Sequence, residues 1–385
     1  LGPTEDYDAL LPDEIEYLCA KALGWDQALS FQGVIPSQRP VNARQDEYLT
    51  LIGRYERLRL ADYFSEDVRA KLREPGAEYH LVQSPEGEWY FLPRDYASRK
   101  VTRGEEWRVT NRYARQTPKL RVQALYAAGP YDGQSVTLAD FTRPGEFGEP
   151  AAAEGVTISL EPSTEQVKAG TASGKLVATN RGKEARGAWA RVTRTFSPPL
   201  DLRPYGGLGV WIYGDGKGEV LNFQLTNIRQ FWEGGMTCSE HYVTVDFTGW
   251  RYFELLFRER DADRHRDYAW PYNPLYGIYR ATLRRQYMPA LNLYVNNVPP
   301  GETITCFISP IKALPVSKVK IANPAVTLGG QRVLFPVTLE SGQSIEMESP
   351  AECRLLDDRG ALVERFAPRG AVPALSPGEN RVAFE

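Results

Sequence analysis

The sequence predicts a mainly β fold: a jelly-roll β-sandwich with a second, accessory β-sandwich, a small immunoglobulin-like domain at the C-terminal end and a helical segment at the N-terminal end. Three observations carry this. From about residue 78 onward, short runs of alternating apolar and polar side chains recur at intervals of roughly 8 to 12 residues, the spacing of antiparallel sandwiches. Turns drawn from 33 glycines and 28 prolines separate those runs. Helical periodicity is confined to the first 75 residues. A chain of 385 residues exceeds what one hydrophobic core supports, so several domains are expected. Composition and turn clusters place them at 1–75 (helical), 76–150 (accessory strands and linker), 151–315 (jelly roll) and 316–385 (immunoglobulin-like).

The elements follow in order. Asp13 is expected to cap a first helix, and Ile15, Leu18, Cys19 and Ala22 recur at helical spacing until Gly24 ends the run. A short strand is expected over 28–32. A second helix over 45–60 presents Tyr48, Leu51, Ile52, Tyr55 and Leu58 as one stripe, and Ser65 caps a third helix reaching Leu72. Strands are expected at 79–82 and 89–92, joined by the Ser84-Pro85-Glu86-Gly87 turn, and at 107–111 and 120–126. The Pro/Gly/Ala/Glu-rich stretch 141–155 reads as a linker. Beyond it, strands are expected at 176–179, 188–196, 242–247, 252–256, 290–295 and 303–308, with two more inside 207–227. That number suits a jelly roll. An insertion over 258–289, dense in Tyr, Trp and Arg, is longer than a hairpin needs. The tail carries strand runs at 325–328, 333–339, 353–357 and 381–384.

The stretch 207–227 carries the functional expectation. It reads as two alternating strands joined by Gly214-Asp215-Gly216. Val210, Ile212, Leu221, Phe223 and Leu225 fall on one side, and Trp211, Tyr213, Asn222, Gln224 and Thr226 on the other. Residues 290–297 repeat the pattern, with Leu291, Leu293 and Val295 inward and Asn292, Tyr294 and Asn296 outward. Flat apolar rings beside amides suit a sugar, whose ring faces stack and whose hydroxyls need paired donors and acceptors. Trp211, Tyr213, Asn222, Gln224, Asn292, Tyr294 and Asn296 are therefore expected to form one carbohydrate-binding wall, with Trp232, Trp270 and Tyr272 on neighbouring loops. The same residues also suit packing beneath another layer of protein. The 21 Tyr and 8 Trp exceed what core packing alone requires, which favours a binding surface.

Other functions find less support. A net charge of -3 without a basic stripe argues against nucleic acid. No apolar run reaches the roughly 18 residues of a membrane span. Four cysteines, Cys19, Cys238, Cys306 and Cys353, match no metal motif and read as buried thiols, with Cys238 and Cys306 the one pair considered for a bridge. The three histidines lack metal spacing, and no nucleophile elbow, phosphate loop or dinucleotide fingerprint is present, so no catalytic residue is assigned. Asp261, Asp263 and Asp267 beside His265 leave an autonomous lyase reading open. No cofactor is expected. Structural calcium at Asp215, Asp261 and Asp263 is a further reading. The start at Leu1-Gly2-Pro3 reads as that of a fragment or processed chain.

The runs Gly209-Val-Trp-Ile-Tyr-Gly-Asp-Gly, Asp246-Phe-Thr-Gly-Trp-Arg and Leu291-Asn-Leu-Tyr-Val-Asn-Asn resemble the jelly-roll carbohydrate-binding modules of polysaccharide-degrading enzymes, across about 160 residues. Residues 12–75 resemble the last helix, strand and helix of a (β/α)8 barrel, and the strands from Glu78 to Tyr126 are similar to the β-sandwich that follows such barrels in glycoside hydrolases. The resemblance implies the non-catalytic C-terminal part of a bacterial glycoside hydrolase, secreted or periplasmic, with a polysaccharide or oligosaccharide as partner. One barrel strand at most is present, so it also implies catalytic carboxylates outside this chain. The rival reading is a structural role, in which the same face docks to a catalytic barrel or a second subunit.

Overall fold

The computed structural model describes residues 11–30, 43–227, 238–258 and 283–385. The chain divides into two compact units. One combines the described residues up to Leu125 with Val319–Glu385, and the other spans Tyr126–Lys318. The chain thus leaves the first unit, builds the second and returns. The expected mainly β character holds, and no helix among the described residues is long and apolar enough to cross a membrane.

The first unit opens with α1 (Pro12–Gly24), α2 (Gln45–Leu60) and α3 (Glu66–Arg73). Their apolar stripes pack Ile15, Cys19, Leu23, Tyr48, Ile52, Tyr55 and Leu72 into one core. A hairpin of β1 (Glu78–Gln83) and β2 (Trp89–Arg94) closes over it with Leu81 and Phe91. Buried Glu16 fastens that hairpin: its Oε1 accepts from Tyr55 Oη at 3.0 Å and from the Leu81 amide at 2.9 Å. The strand expected at 28–32 is not found, because Ala28–Ser30 is irregular and 31–32 lies outside the described residues. Two further strands precede the second unit, β3 (Glu106–Asn111) and β4 (Leu120–Gln123).

The second unit holds β5 (Ala127–Ala128), β6 (Val136–Ala139), β7 (Gly148–Ala152), β8 (Val156–Ser163), β9 (Ser173–Asn180), β10 (Ala190–Leu200), β11 (Gly207–Asp215) and β12 (Val220–Thr226). It continues with β13 (Cys238–Thr244), β14 (Thr248–Leu256), β15 (Met288–Asn296), β16 (Thr303–Ile308), β17 (Ile311–Leu314) and β18 (Val316–Ser317). Two sheets form the sandwich: a five-stranded one ordered β13-β12-β15-β10-β7, and a seven-stranded one ordered β6-β17-β11-β16-β9-β8 with β14 also paired to β11. Val210 and Ile212 from one sheet and Leu221, Phe223, Leu225, Leu291, Leu293 and Val295 from the other all lie in the core between them. Burying each such side chain stabilises the fold by about 1.5–3 kcal/mol.

The stretch 141–155, expected as a linker, belongs to this sandwich. Phe141 and Phe147 stack at 5.8 Å inside the core, and β7 forms the edge of the five-stranded sheet beside β10. The Phe141 ring sits so close to Gly174 that a Cβ there would come within 2.5 Å of it. Two buried aromatics outweigh the turn-rich composition around them.

The chain then returns to the first unit through β19 (Lys320–Ala322), β20 (Ala325–Leu328), β21 (Gln331–Leu334), β22 (Thr338–Glu340), β23 (Ser344–Ser349), β24 (Glu352–Leu356), β25 (Leu362–Phe366) and β26 (Gly378–Phe384). Here the expected division into separate sandwiches at 76–150 and 316–385 is corrected. β3 pairs with β26 and β4 with β23, giving two four-stranded sheets, β21-β20-β26-β3 and β25-β24-β23-β4, built from both ends of the chain. Neither segment alone supplies a complete pair of sheets, so each completes the other around a core of Phe335, Leu339, Ile345, Met347 and Leu355. A buried ion cluster joins helices and sandwich in this unit. Glu346 of β23 accepts from Arg44, which precedes α2, at 2.7 and 3.0 Å, from Arg121 of β4 at 3.1 Å and from Arg354 of β24 at 2.9 Å.

Candidate functional site

The outward face of the five-stranded sheet is built by simple alternation. Because Leu221, Phe223 and Leu225 point into the core, Asn222 and Gln224 of β12 point away from it, as do Asn292 and Tyr294 of β15. Register then fixes their neighbours. Gln224 lies between Asn292 and Glu240, Asn292 beside Thr193, Asn222 between Tyr294 and Tyr242, and Tyr294 beside Arg191.

These side chains form a hydrogen-bonded chain across four strands. Thr193 Oγ1 donates to Asn292 Oδ1 at 2.8 Å, Asn292 Nδ2 to Gln224 Oε1 at 2.7 Å, and Gln224 Nε2 to Glu240 Oε1 at 3.0 Å. Asn222 Nδ2 reaches the same Glu240 oxygen at 3.1 Å, while Asn222 Oδ1 accepts from the His241 amide at 3.1 Å. Each amide thereby has its orientation set by two partners.

The face is less open than the sequence suggests. Asn222, Asn292 and Asn296 are only 3%, 6% and 3% exposed, so the expectation of a solvent-facing amide row is corrected at these three. Asn296 lies one pair further along, opposite Val220, and its Oδ1 has no hydrogen-bond partner among the described residues. Gln224 and Tyr294 are half-buried and form the accessible part of the face, together with Trp189 and Arg191. Trp189 lies 6.1 Å from the Tyr294 ring, with the planes tilted by 47°, and the Arg191 guanidinium sits 5.9 Å from the same ring. Burial raises the Tyr294 hydroxyl above its ordinary range and Arg191 opposes that shift.

Trp211 and Tyr213 do not join them. β11 pairs with β14, β16 and β17, whereas β12 pairs with β13 and β15, so the expected hairpin is instead a crossing from one sheet to the other. Gly216 and Gly218, both at positive φ, and an Asp215 carboxylate accepting from the Lys217 amide at 3.2 Å shape that crossing. Both inward faces meet in the core, which sends the rings to one outer surface of the sandwich and the amides to the opposite one. There Trp211 packs 5.1 Å from Tyr252 and Tyr213 5.6 Å from Trp250, and Lys168 Nζ stands 4.7 Å above the Trp211 ring. Trp232, Trp270 and Tyr272 lie outside the described residues, as do Asp261, Asp263, His265 and Asp267 of the lyase reading.

Sequence reasoning missed Glu240, Thr193, Arg191 and Trp189. The last three alternate with Ala190 and Val192 in a run already expected to be a strand, so their signal was present. Glu240 was lost because the strand was expected at 242–247 rather than at Cys238–Thr244.

Asp215, the described member of the calcium reading, faces a different corner. Its carboxylate, that of Glu219 and the Cys306 thiol each place one atom within 4.8 Å of the others. Calcium takes about six to eight oxygen ligands, and a set with two carboxylates and a thiol does not fit it. Cys306 Sγ donates to Glu219 Oε1 at 3.1 Å, and Asp215 Oδ2 accepts from the Thr305 amide at 2.8 Å. All four cysteines are buried free thiols, and Cys238 and Cys306 lie in different sheets.

No protein-family model matches the chain, and no curated protein matches it. Among solved structures it is similar to a family 11 carbohydrate-binding module from Clostridium thermocellum in complex with a β-1,3-1,4-mixed-linked tetrasaccharide, at 14% identity and a TM-score of 0.34, over 50% of this chain and 98% of that one. A family 30 carbohydrate-binding module aligns at 17% identity and a TM-score of 0.30, over 48% of this chain and 89% of that one. An exo-β-agarase aligns at 11% identity and a TM-score of 0.29, over 48% of this chain but 25% of its own.

Proposed function

We propose that the outward face of the five-stranded sheet binds a saccharide. The observation that supports this most is the hydrogen-bonded chain from Thr193 through Asn292 and Gln224 to Glu240. It sets the orientation of a half-buried amide, Gln224, diagonal across the sheet from the half-buried Tyr294, whose ring lies beside that of Trp189. Among the described residues Gln224 uses one N–H and one lone pair in these hydrogen bonds and keeps a second of each, the pairing a sugar hydroxyl takes. Tyr294 and Trp189 supply the apolar surface for a ring face. Asn222, Asn292, Thr193 and Glu240 act as positioning residues, holding Gln224 so that little side-chain freedom is lost on binding.

The motifs at 209–216, 246–251 and 291–297 support a finer form of this reading: recognition serving a secreted or periplasmic polysaccharide-degrading enzyme whose catalytic residues are supplied elsewhere. Affinity electrophoresis through gels containing a panel of polysaccharides tests the face itself. At least one polysaccharide is expected to retard the parent and the Trp211→Ala variant alike. Tyr294→Ala is expected to weaken retention about tenfold or more, and Gln224→Ala by about threefold to tenfold. Equal retention of all four proteins would remove the five-stranded face from the account.

A further inference from the structure

Several basic side chains of this unit are paired with carboxylates. Arg194, three positions beyond Arg191 on β10, pairs with Glu146 at 2.6 Å, Lys175 with Glu165 at 2.6 Å and Lys217 with Glu302 at 2.7 Å. Arg191 makes no salt bridge among the described residues, and its buried Nε has no hydrogen-bond partner there. Among the described residues it stands beside Tyr294. Among the described carboxylates of this sheet, Glu149 lies exposed on the neighbouring edge strand β7, and Glu240 belongs to β13, three strands away from β10 through β12 and β15. At about 4.8 Å per strand the backbone positions of Arg191 and Glu240 lie about 14 Å apart. Glu240 is moreover engaged by Asn222 and Gln224.

A half-buried guanidinium without an anion is costly, and a planar fork of N–H donors fits a carboxylate or sulfate through two parallel bonds. We propose that Arg191 makes this face selective for anionic saccharides, its guanidinium receiving a carboxylate or sulfate group of the bound sugar while Tyr294 and Trp189 hold the adjoining ring. This rests on the saccharide reading above and adds the charge of the ligand to it.

The test is an oligosaccharide array printed with neutral, uronate-containing and sulfated forms of the same backbones, together with carboxyl-reduced and desulfated controls that tell the two anions apart. The parent is expected to bind one anionic form about tenfold or more better than its neutral counterpart. Arg191→Gln is expected to lose that preference while keeping neutral binding, and Arg191→Lys to retain part of it. Lys175→Gln, on the other sheet, is expected to behave as the parent, which separates this site from general polyanion adsorption. If Arg191→Gln does not fold, Arg191→Lys carries the test, since it keeps the charge but loses the fork. Equal binding of neutral and anionic forms by the parent, or a preference unchanged in the folded Arg191 variants, would overturn the charge selectivity and leave the saccharide reading standing. Binding of no saccharide by the parent would overturn both.

Discussion

Glu219 shows how much one buried group contributes to the behaviour of the sandwich. It is fully buried, and that burial pushes its carboxyl from 4.5 up to about 7; the Cys306 thiol lowers it and Asp215 raises it further. Folding therefore favours the neutral acid. The associated stability is fully present below the unfolded value of 4.5 and is lost as pH rises through about 7. Its size is on the order of 3 kcal/mol. Urea denaturation at roughly pH 5 and roughly pH 8 is expected to show the parent losing stability with rising pH, and Glu219→Gln losing clearly less. Parallel losses in both proteins would mean that this carboxyl ionises normally.

At the scale of elements, alternation made eight of the twelve strands in the two sandwich sheets legible, all but β6, β7, β8 and β17, because a buried face imposes a period of two wherever the strand goes. It did not reveal partners. The Gly-Asp-Gly segment after Tyr213 suits a hairpin and a sheet-to-sheet crossing equally well. What separates them is the distant pairing of β12 with β15, about 70 residues on, which local pattern does not encode. The inward residues named for the two strands all lie in the core, joined there by Leu208, while the single wall of rings and amides divided into opposite faces. The ion cluster around Glu346 was invisible for the same reason, since its members come from positions 44, 121, 346 and 354. Burial alone would raise the Glu346 carboxyl, yet the three guanidiniums together hold it below its usual range. It therefore stabilises the fold above the ordinary carboxylate range, and this contribution fades as pH falls through its lowered value. Glu346→Ala leaves those guanidiniums facing one another and is expected to cost about 3–5 kcal/mol, read as a lower denaturation midpoint for the first unit. A loss near zero would mean that packing alone joins its helices to its sheets.

At the scale of the whole chain, the interrupted first unit explains why domain boundaries were the hardest feature to read. Segments 106–123 and 319–385 carry the right strand patterns but complete one another's sheets across the intervening jelly roll. A fragment of residues 126–318 is expected to unfold cooperatively by itself, whereas residues 319–385 alone are expected to show no cooperative transition, lacking β3 and β4. A folded 319–385 fragment would restore the independent C-terminal domain that the sequence suggested.

On the proposed reading, saccharide recognition belongs to the five-stranded face and not to the aromatic cluster on the opposite sheet. Covalent footprinting of aromatic side chains, with and without a retained oligosaccharide, tests it most directly. Trp189 and Tyr294 are expected to be protected with Trp211, Tyr213 and Trp250 unchanged; protection of the latter three with Tyr294 unaffected would place the site on the other sheet.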